Sequence, residues 1–339
     1  MWVNSMKQPK FLITGGAGYI GSHVAWAAAD AGYDLVIVDD LSTGMAENIP
    51  LTAEFVEGSI GDRELIRKLL ADKDIRAVMH FAGKIVVPES VEDPVKYYRD
   101  NTAMTLELLA DMLAAGKEAI LFSSTAAVYE PRLDGAPLME DGPKMPLSPY
   151  GHSKLMTETM IRDIGAAHGL SAAVLRYFNV AGADPAGRTG QSTPNATHLL
   201  KVASEVATGQ REKLSVFGTD YDTPDGTCVR DYIHVSDLAS AHLLALEHVL
   251  ENKTQVTMNC GYGRPSSVLD VIRALESVIG AELPVEMAPR RPGDAPALVA
   301  DNSRILETLD WQPEHDSLEK MASTALAWER TLKERRGAI

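Results

Sequence analysis

The sequence predicts an α/β fold, a doubly wound parallel sheet followed by a smaller C-terminal α/β unit. Three observations carry that expectation. Short apolar runs of strand length recur through the N-terminal half, the stretches between them place Ala, Leu, Glu and Lys at helical spacing, and a glycine-rich turn joins the first run to the first helix.

In chain order the runs are FLIT (11 to 14), LVIVDD (35 to 40), AVMHFA (77 to 82), AILFSS (119 to 124) and AAVLRYFNV (172 to 180). Each is mostly apolar, as a parallel strand covered on both faces must be. Segments 20 to 32, 62 to 73, 95 to 115 and 151 to 168 read as the helices between them. Beyond about residue 182 the pattern loosens into AGADPAGRTGQSTPNAT, whose Gly, Pro and Thr content marks irregular chain. It resumes with a helix over 198 to 209, a strand over 213 to 217 and a helix over 268 to 280. Two units are therefore expected, 1–181 and 182–339, with about 231–250 a candidate to pack back on the first.

Composition narrows the function. With 339 residues and 45% apolar content the chain can bury a full core. Its net charge of −15 repels nucleic acid and anionic membrane, so a phosphate-bearing ligand has to be held by local arginines and backbone amides. The only two cysteines, Cys228 and Cys260, lie far apart and fit neither a disulfide framework nor a zinc site. The start, MWVNSMKQPK, lacks the apolar core of a signal peptide, and no later run approaches the roughly eighteen apolar residues of a membrane span. A cytoplasmic protein with no nucleic-acid or membrane partner is expected, with Met6 an alternative start to Met1. His80, His152 and His234 show no paired ligand spacing and read as packing or hydrogen-bonding residues, so no metal is expected.

The run FLIT leads into Gly15-Gly-Ala-Gly18-Tyr-Ile-Gly21 and then a helix. Strand, tight turn and helix N-terminus together present amides and a dipole to a pyrophosphate. Spaced glycines alone also occur in plain turns. The second run supplies context by ending near Asp39, eighteen residues beyond Gly21, where a carboxylate can bond the adenosine ribose and repel a 2′-phosphate. NAD is thus expected over NADP, the other reading of Asp39 being a strand-end cap.

In SPYGHSKL, Tyr150 and Lys154 share a helix face one turn apart. Such a pair arises often by chance, and a phenol of ordinary pKa near 10 becomes a base only if nearby positive charge favours phenolate. Thr125, just past the run AILFSS, would sit at the carboxyl end of its strand, where open α/β sheets hold their ligands. Thr125 could then bond the same substrate oxygen that Tyr150 deprotonates, and the three residues converge on one site.

This order of features resembles the extended branch of the short-chain dehydrogenase/reductase superfamily. The stretches GGAGYIGSH, VDDLSTG, HFAGKIVVPESVEDP, SPYGHSKLMTE, LRYFNVAGADP, DGTCVRDYIHVSDLA and PRRPGD, spread from near the N-terminus to about residue 301, further resemble its UDP-glucose 4-epimerase family. The resemblance implies a Rossmann-type NAD-binding domain over 1–181 and a UDP-sugar-binding domain over 182–339. It implies an isomerase that oxidises the sugar reversibly at C4 through a 4-keto intermediate, interconverts UDP-glucose and UDP-galactose, and forms a homodimer. Tyr150 would be the base, Lys154 would tune it and hold the nicotinamide ribose, and Thr125 matches a Ser or Thr of the family.

By the same resemblance Gly15, Gly18, Tyr19, Ile20, Gly21, Asp39, Ser59, Ile60, Phe81, Ala82, Gly83, Asn101, Tyr150, Lys154 and Phe178 fall at cofactor positions. Thr125, Asn179, His198, Leu199, Phe217, Arg230, Arg291, Asp294 and Leu298 fall at UDP-sugar positions. Arg230 beside Asp231 also reads as a structural ion pair. Ser59 departs from a common Asp that contacts adenine, a contact either weakened or moved to Asp62. Lys84 and Ile85 depart from a pattern of apolar residue then lysine, and His198 replaces a common asparagine. Leu298, intermediate between tyrosine and the small residues of the family, leaves N-acetyl, uronic acid and pentose sugars open. A 4,6-dehydratase would need an acid pair where Ala126 and Ala127 stand, and a non-catalytic NAD-binding module would not require Thr125, Tyr150 and Lys154 together.

Overall fold

Alternation at period two inside each apolar run decides how the main sheet is covered. In the first strand Phe11 and Ile13 face one layer while Leu12 faces the other, and Ile37 and Val38 divide in the same way. Both faces are therefore buried, at about 1.5–3 kcal/mol for each large apolar side chain taken from water. The structure, a computed structural model, describes residues 9–337 apart from 73, 133, 134, 195, 292 and 293, so the alternative start at Met6 lies outside the described residues.

Chain order gives β1 Lys10–Thr14, β2 Asp34–Asp39, β3 Glu54–Glu57, β4 Ile75–His80, β5 Ala119–Thr125, β6 Ser171–Tyr177, β7 Asn179–Ala181, β8 Leu214–Phe217, β9 Val229–His234, β10 Gln255–Cys260, β11 Pro265–Ser267, β12 Val285–Ala288 and β13 Ala297–Leu298. Seven form one all-parallel sheet in the order β10-β6-β5-β4-β1-β2-β3. Helices Tyr19–Asp30 and Val235–Asn252 cover one face, and Arg63–Leu70, Met104–Ala114 and Pro149–His168 cover the other. The α/β fold with a doubly wound parallel sheet is as the sequence predicts.

Four elements of the main sheet and its helices differ in detail, and outside that sheet β9, β11, β12 and β13 were not predicted. The single strand expected over 172 to 180 breaks at Phe178, so that β6 stays in the main sheet and β7 pairs with β9. The helix expected over 95 to 115 contains a π-helical turn, Tyr98–Ala103. Strands β3 and β10 were not anticipated. The return of chain to the first layer also extends past 231–250, because β10 closes one edge of the sheet and Ile305, Leu309 and Trp311 join the same core.

The other unit is built on β7, β9, β11 and β13, with β8 paired to β12, under helices Leu199–Ala207, Val268–Ile279 and Leu318–Gly337. Among the described residues no helix is long and apolar enough to cross a membrane.

Candidate active site

Because all seven strands run the same way, the loops after β1 to β6 open on one side of the sheet. Gly15 follows β1 at φ 72°, and a Cβ there would lie 2.5 Å from the Ala82 backbone nitrogen. A Cβ on Gly21 would lie 2.2 Å from the Gly15 carbonyl oxygen, so the loop closes tightly on the helix. The helix begins at Tyr19 with no side-chain cap and no acidic residue in its first turn. Unspent amides over a loop this close fit a pyrophosphate.

Asp39 ends β2 with its carboxylate turned into that loop, accepting from Ala17 N at 2.9 Å and Leu41 N at 2.8 Å. Burial raises its pKa, and these amides oppose the rise. Leu41 takes φ 55°, a left-handed conformation that costs a non-glycine residue about 1–2 kcal/mol. The strain holds its amide on Asp39, whose oxygens retain lone pairs for a ribose. These residues fit NAD.

The remaining positions flank this cleft. Ser59 accepts from Gly61 N, while Asp62 caps helix Arg63–Leu70 through Leu65 N, so its carboxylate already has a structural duty. Ile60 is buried, and Phe81 packs on His242 with ring centroids 5.2 Å apart. Asn101 sits in the π-helical turn and clamps the loop after β4, accepting from Lys84 N at 2.7 Å and donating to Lys84 O at 2.9 Å. Lys84 itself reaches Ser42 at 3.2 Å, bridging the loops after β2 and β4.

Tyr150 is placed by its own sequence. Ser148 caps the helix by accepting from Gly151 N, Pro149 occupies the first turn, and Gly151 lets the helix approach the chain after Thr125, since a Cβ there would meet the Ala127 oxygen at 2.4 Å. The phenol is buried, the residue 6% exposed, and lies toward the Thr125 side chain. Burial pushes its pKa well above the ordinary value, Tyr177 adds to the rise, and Thr125 opposes it.

Lys154 is also buried and donates to the Ser123 carbonyl oxygen at 3.0 Å, not to Tyr150. Burial pulls its pKa down to about 8, against the opposing charge of Glu158. Its Nζ would lie 3.8 Å from a Cβ on Gly83, so Lys154, Asn101 and Gly83 meet. Behind them His80 spans Thr14 at 2.7 Å and Thr105 at 2.9 Å. The Thr105 hydroxyl donates to Asn101 O, so His80 presents Nε2–H to Thr105.

Of the expected UDP-sugar positions, Asn179, Phe217, Arg230 and Leu298 lie on strands of the second unit, His198 and Leu199 at the start of helix Leu199–Ala207, and Thr125 at the end of β5. Leu298 pairs with Arg230 across β13 and β9, Asn179 pairs with Tyr232, and Leu298 packs in one cluster with Phe178, Ala126 and Tyr129. Arg230 approaches Asp294 at 3.5 Å and donates to Ala295 O at 2.9 Å. The alternative pairing with Asp231 does not form. Neighbours in a strand point to opposite faces, and Asp231 instead accepts amides of Tyr262, Gly263 and Ala300. Arg291 stacks on Phe217, 3.8 Å from the ring centroid, and makes no ion pair among the described residues, whereas Arg290 is engaged by Asp220 and Tyr221. His198 precedes helix Leu199–Ala207 without capping it through its side chain, and its ring is held by Gln191 at 3.2 Å.

Sequence reasoning missed Tyr177, which lies opposite Thr125 in register and accepts from Ser123 at 3.1 Å. It also missed Glu158, although its spacing from Tyr150 and Lys154 marks one helix face.

A model of the NAD dependent epimerase/dehydratase family matches residues 11–261. The UDP-glucose 4-epimerase of Azospirillum brasilense is 58% identical over 326 residues, 96% of this chain and 93% of that protein. The crystal structure of UDP-glucose 4-epimerase from Brucella ovis in complex with NAD is similar at TM-score 0.90 and 41% identity, covering 94% of this chain and 98% of that one. That of the Stenotrophomonas maltophila enzyme, with bound NAD and formylated UDP-arabinopyranose, is similar at TM-score 0.93 and 37% identity, covering 97% and 100%. The chain belongs to the NAD dependent epimerase/dehydratase family, within the UDP-glucose 4-epimerases of the extended short-chain dehydrogenase/reductase superfamily.

Proposed function

We infer that the protein interconverts UDP-glucose and UDP-galactose by reversible oxidation at C4 through a 4-keto sugar. The observation that carries this reading is that buried Tyr150 and Lys154 share one helix face, which Lys154 anchors to Ser123 O on β5 beside the strand-end Thr125. Tyr150 takes the proton from the 4-hydroxyl and later returns it, while Thr125 holds the same oxygen. Burial raises the phenol's pKa, so its base form depends on positive charge, which Lys154, one turn along the same helix face, is placed to supply. NAD, when bound, supplies the hydride acceptor at C4 and a further positive charge beside the phenol. Gly15, Gly18, Tyr19, Ile20 and Gly21 hold its pyrophosphate, and Asp39 its adenosine ribose. Ser59 and Ile60 flank the adenine, Phe81, Ala82, Gly83 and Phe178 line the path to the nicotinamide, and Asn101 and Lys154 fix the nicotinamide ribose.

Residues 1–181 then form the NAD-binding unit and 182–339 the UDP-sugar unit, with 231–250, β10 and 305–311 supporting the first. Arg291, without a carboxylate partner among the described residues, and Arg230 take the diphosphate as planar forks. Phe217, Leu199, His198, Asn179 and Asp294 line the nucleotide, and Leu298 faces the hexose. The sugar has to turn over between proton removal and return, which calls for a pocket firm on UDP and loose on the ring.

With purified protein and no added reductant, UDP-galactose is expected to equilibrate with UDP-glucose, followed by NMR of the C4 epimers. Failure on UDP-galactose with NAD bound sinks the substrate assignment. A second reading, acceptance of other UDP-sugars, is favoured by half-buried Leu298 beside Phe178. Leu298→Tyr is expected to cut turnover of UDP-N-acetylgalactosamine about tenfold or more while sparing UDP-galactose; equal losses on both would exclude Leu298 as the sieve.

The protein acts in the cytoplasm as a homodimer joined through helices of the NAD-binding unit. Val87 and Val91 lie one turn apart on helix Val87–Glu92, Val95 follows on the next helix, Pro94–Tyr97, and all three are exposed, as are Leu106 and Met156, apolar side chains suited to a second copy. Val91→Asp combined with Val95→Asp is expected to halve the mass in sedimentation equilibrium, and an unchanged mass removes this face from the interface.

A further inference from the structure

Glu158 lies four residues beyond Lys154 and eight beyond Tyr150 on helix Pro149–His168, and no role above uses it. Its carboxylate is 8% exposed. Ser124 donates to it at 2.5 Å, and Arg176 donates through Nε and Nη2 to both of its oxygens at 2.6–3.2 Å. Ser124 and Arg176 face each other across β5 and β6, one residue before Thr125 and Tyr177. A single carboxylate thus ties the helix of Tyr150 and Lys154 to the two strand ends that meet them.

A buried ion pair of this kind is often replaceable by apolar residues without loss of stability. Its geometry here points to another duty. Lys154 is buried over the Phe122 ring at 4.8 Å. The titratable groups facing it are Tyr150 and Glu158 on its own helix, His80 at the end of β4, Arg176 and Tyr177 on β6, and Tyr97 beside Tyr150. Glu140 is turned to Asn259 and Arg304, and Lys144 lies toward Arg176 and Glu158. Glu158 is the carboxylate that acts on Lys154.

We propose that Glu158 is a positioning residue for epimerisation, setting a carboxylate one helical turn from Lys154 and fixing the Tyr150 helix against the strand end that carries Thr125. The proposal rests on the roles assigned above to Tyr150 and Lys154. Burial lowers the ammonium's pKa to about 8 and Glu158 opposes that fall. As a cation Lys154 works below its pKa and fails as pH rises through it. Glu158→Gln keeps an acceptor for Ser124, removes the negative charge and leaves Arg176 uncompensated, and both charge effects lower the lysine further.

The test is kcat against pH for the NAD-loaded enzyme with UDP-galactose. In Glu158→Gln the alkaline fall is expected about one unit or more lower than in the parent, so that the loss grows to roughly tenfold between pH 6.5 and 8.5. Glu158→Asp retains the charge and is expected to keep the parental alkaline limb even where kcat drops. Should Glu158→Gln not fold, the paired change Glu158→Gln with Arg176→Met removes both charges and is expected to leave a smaller acidward shift. An unshifted limb in the folded variants, with equal loss at every pH, overturns the proposal. A parent enzyme that converts no UDP-sugar overturns the reading of the site instead.

Discussion

Replacing Tyr150 with phenylalanine is expected to lower kcat for UDP-galactose by about 10²–10⁴-fold, the range contributed by one positioned acid/base group. The ring keeps its place, because its packing is set by the Ser148 cap and by Gly151 against the Ala127 carbonyl. UDP-sugar affinity, measured by calorimetry, is therefore expected to stay within severalfold. Thr125 lies beside the phenol and is assigned to the same substrate oxygen, so Thr125→Val should also lose rate, and the two losses should fall short of additive when combined. Near-normal turnover by Tyr150→Phe would refute its role as the base.

Gly15→Ala is expected to remove bound NAD and to destabilise the fold by roughly 2–5 kcal/mol, from the positive φ and from overpacking together. The added methyl would press on the Ala82 backbone, and neither strand end can retreat, since Phe81 N already donates to Thr14 O at 2.9 Å. The checks are the NAD released from denatured protein per chain and the urea midpoint. Gly116→Ala serves as a control: it too has positive φ, 66°, but nothing lies within 4 Å of its added Cβ, so only the backbone cost remains. A full complement of NAD in Gly15→Ala would sink the account of the loop.

The five buried strands were legible because burial on both faces writes itself as an apolar run. β3 was not, since EFVE carries two glutamates and lies at an edge, and β10 was not, since QVTMNC is half polar. The π-helical turn at Tyr98–Ala103 leaves no mark in the helical periodicity, though it bears Asn101. Tyr150 and Lys154 could be found as a spaced pair. Glu158 resembled one more solvated carboxylate, and Tyr177 became visible only through strand register. The Arg230 and Asp231 pairing failed on elementary strand geometry, because adjacent residues diverge.

The edge position of β10 has a consequence for synthesis. It pairs with β6 from Ala172 to Tyr177, yet it leaves the ribosome roughly eighty residues later, about 4–17 s at ordinary elongation rates. Helix Val235–Asn252, which covers that part of the sheet, emerges in the same interval. Until then the nascent chain carries an apolar strand, SAAVLRY, with an unpaired edge and one bare face, a template for joining another chain. The N-terminal half cannot complete its own sheet, and in a crowded translation system this edge is where chaperones are expected to bind.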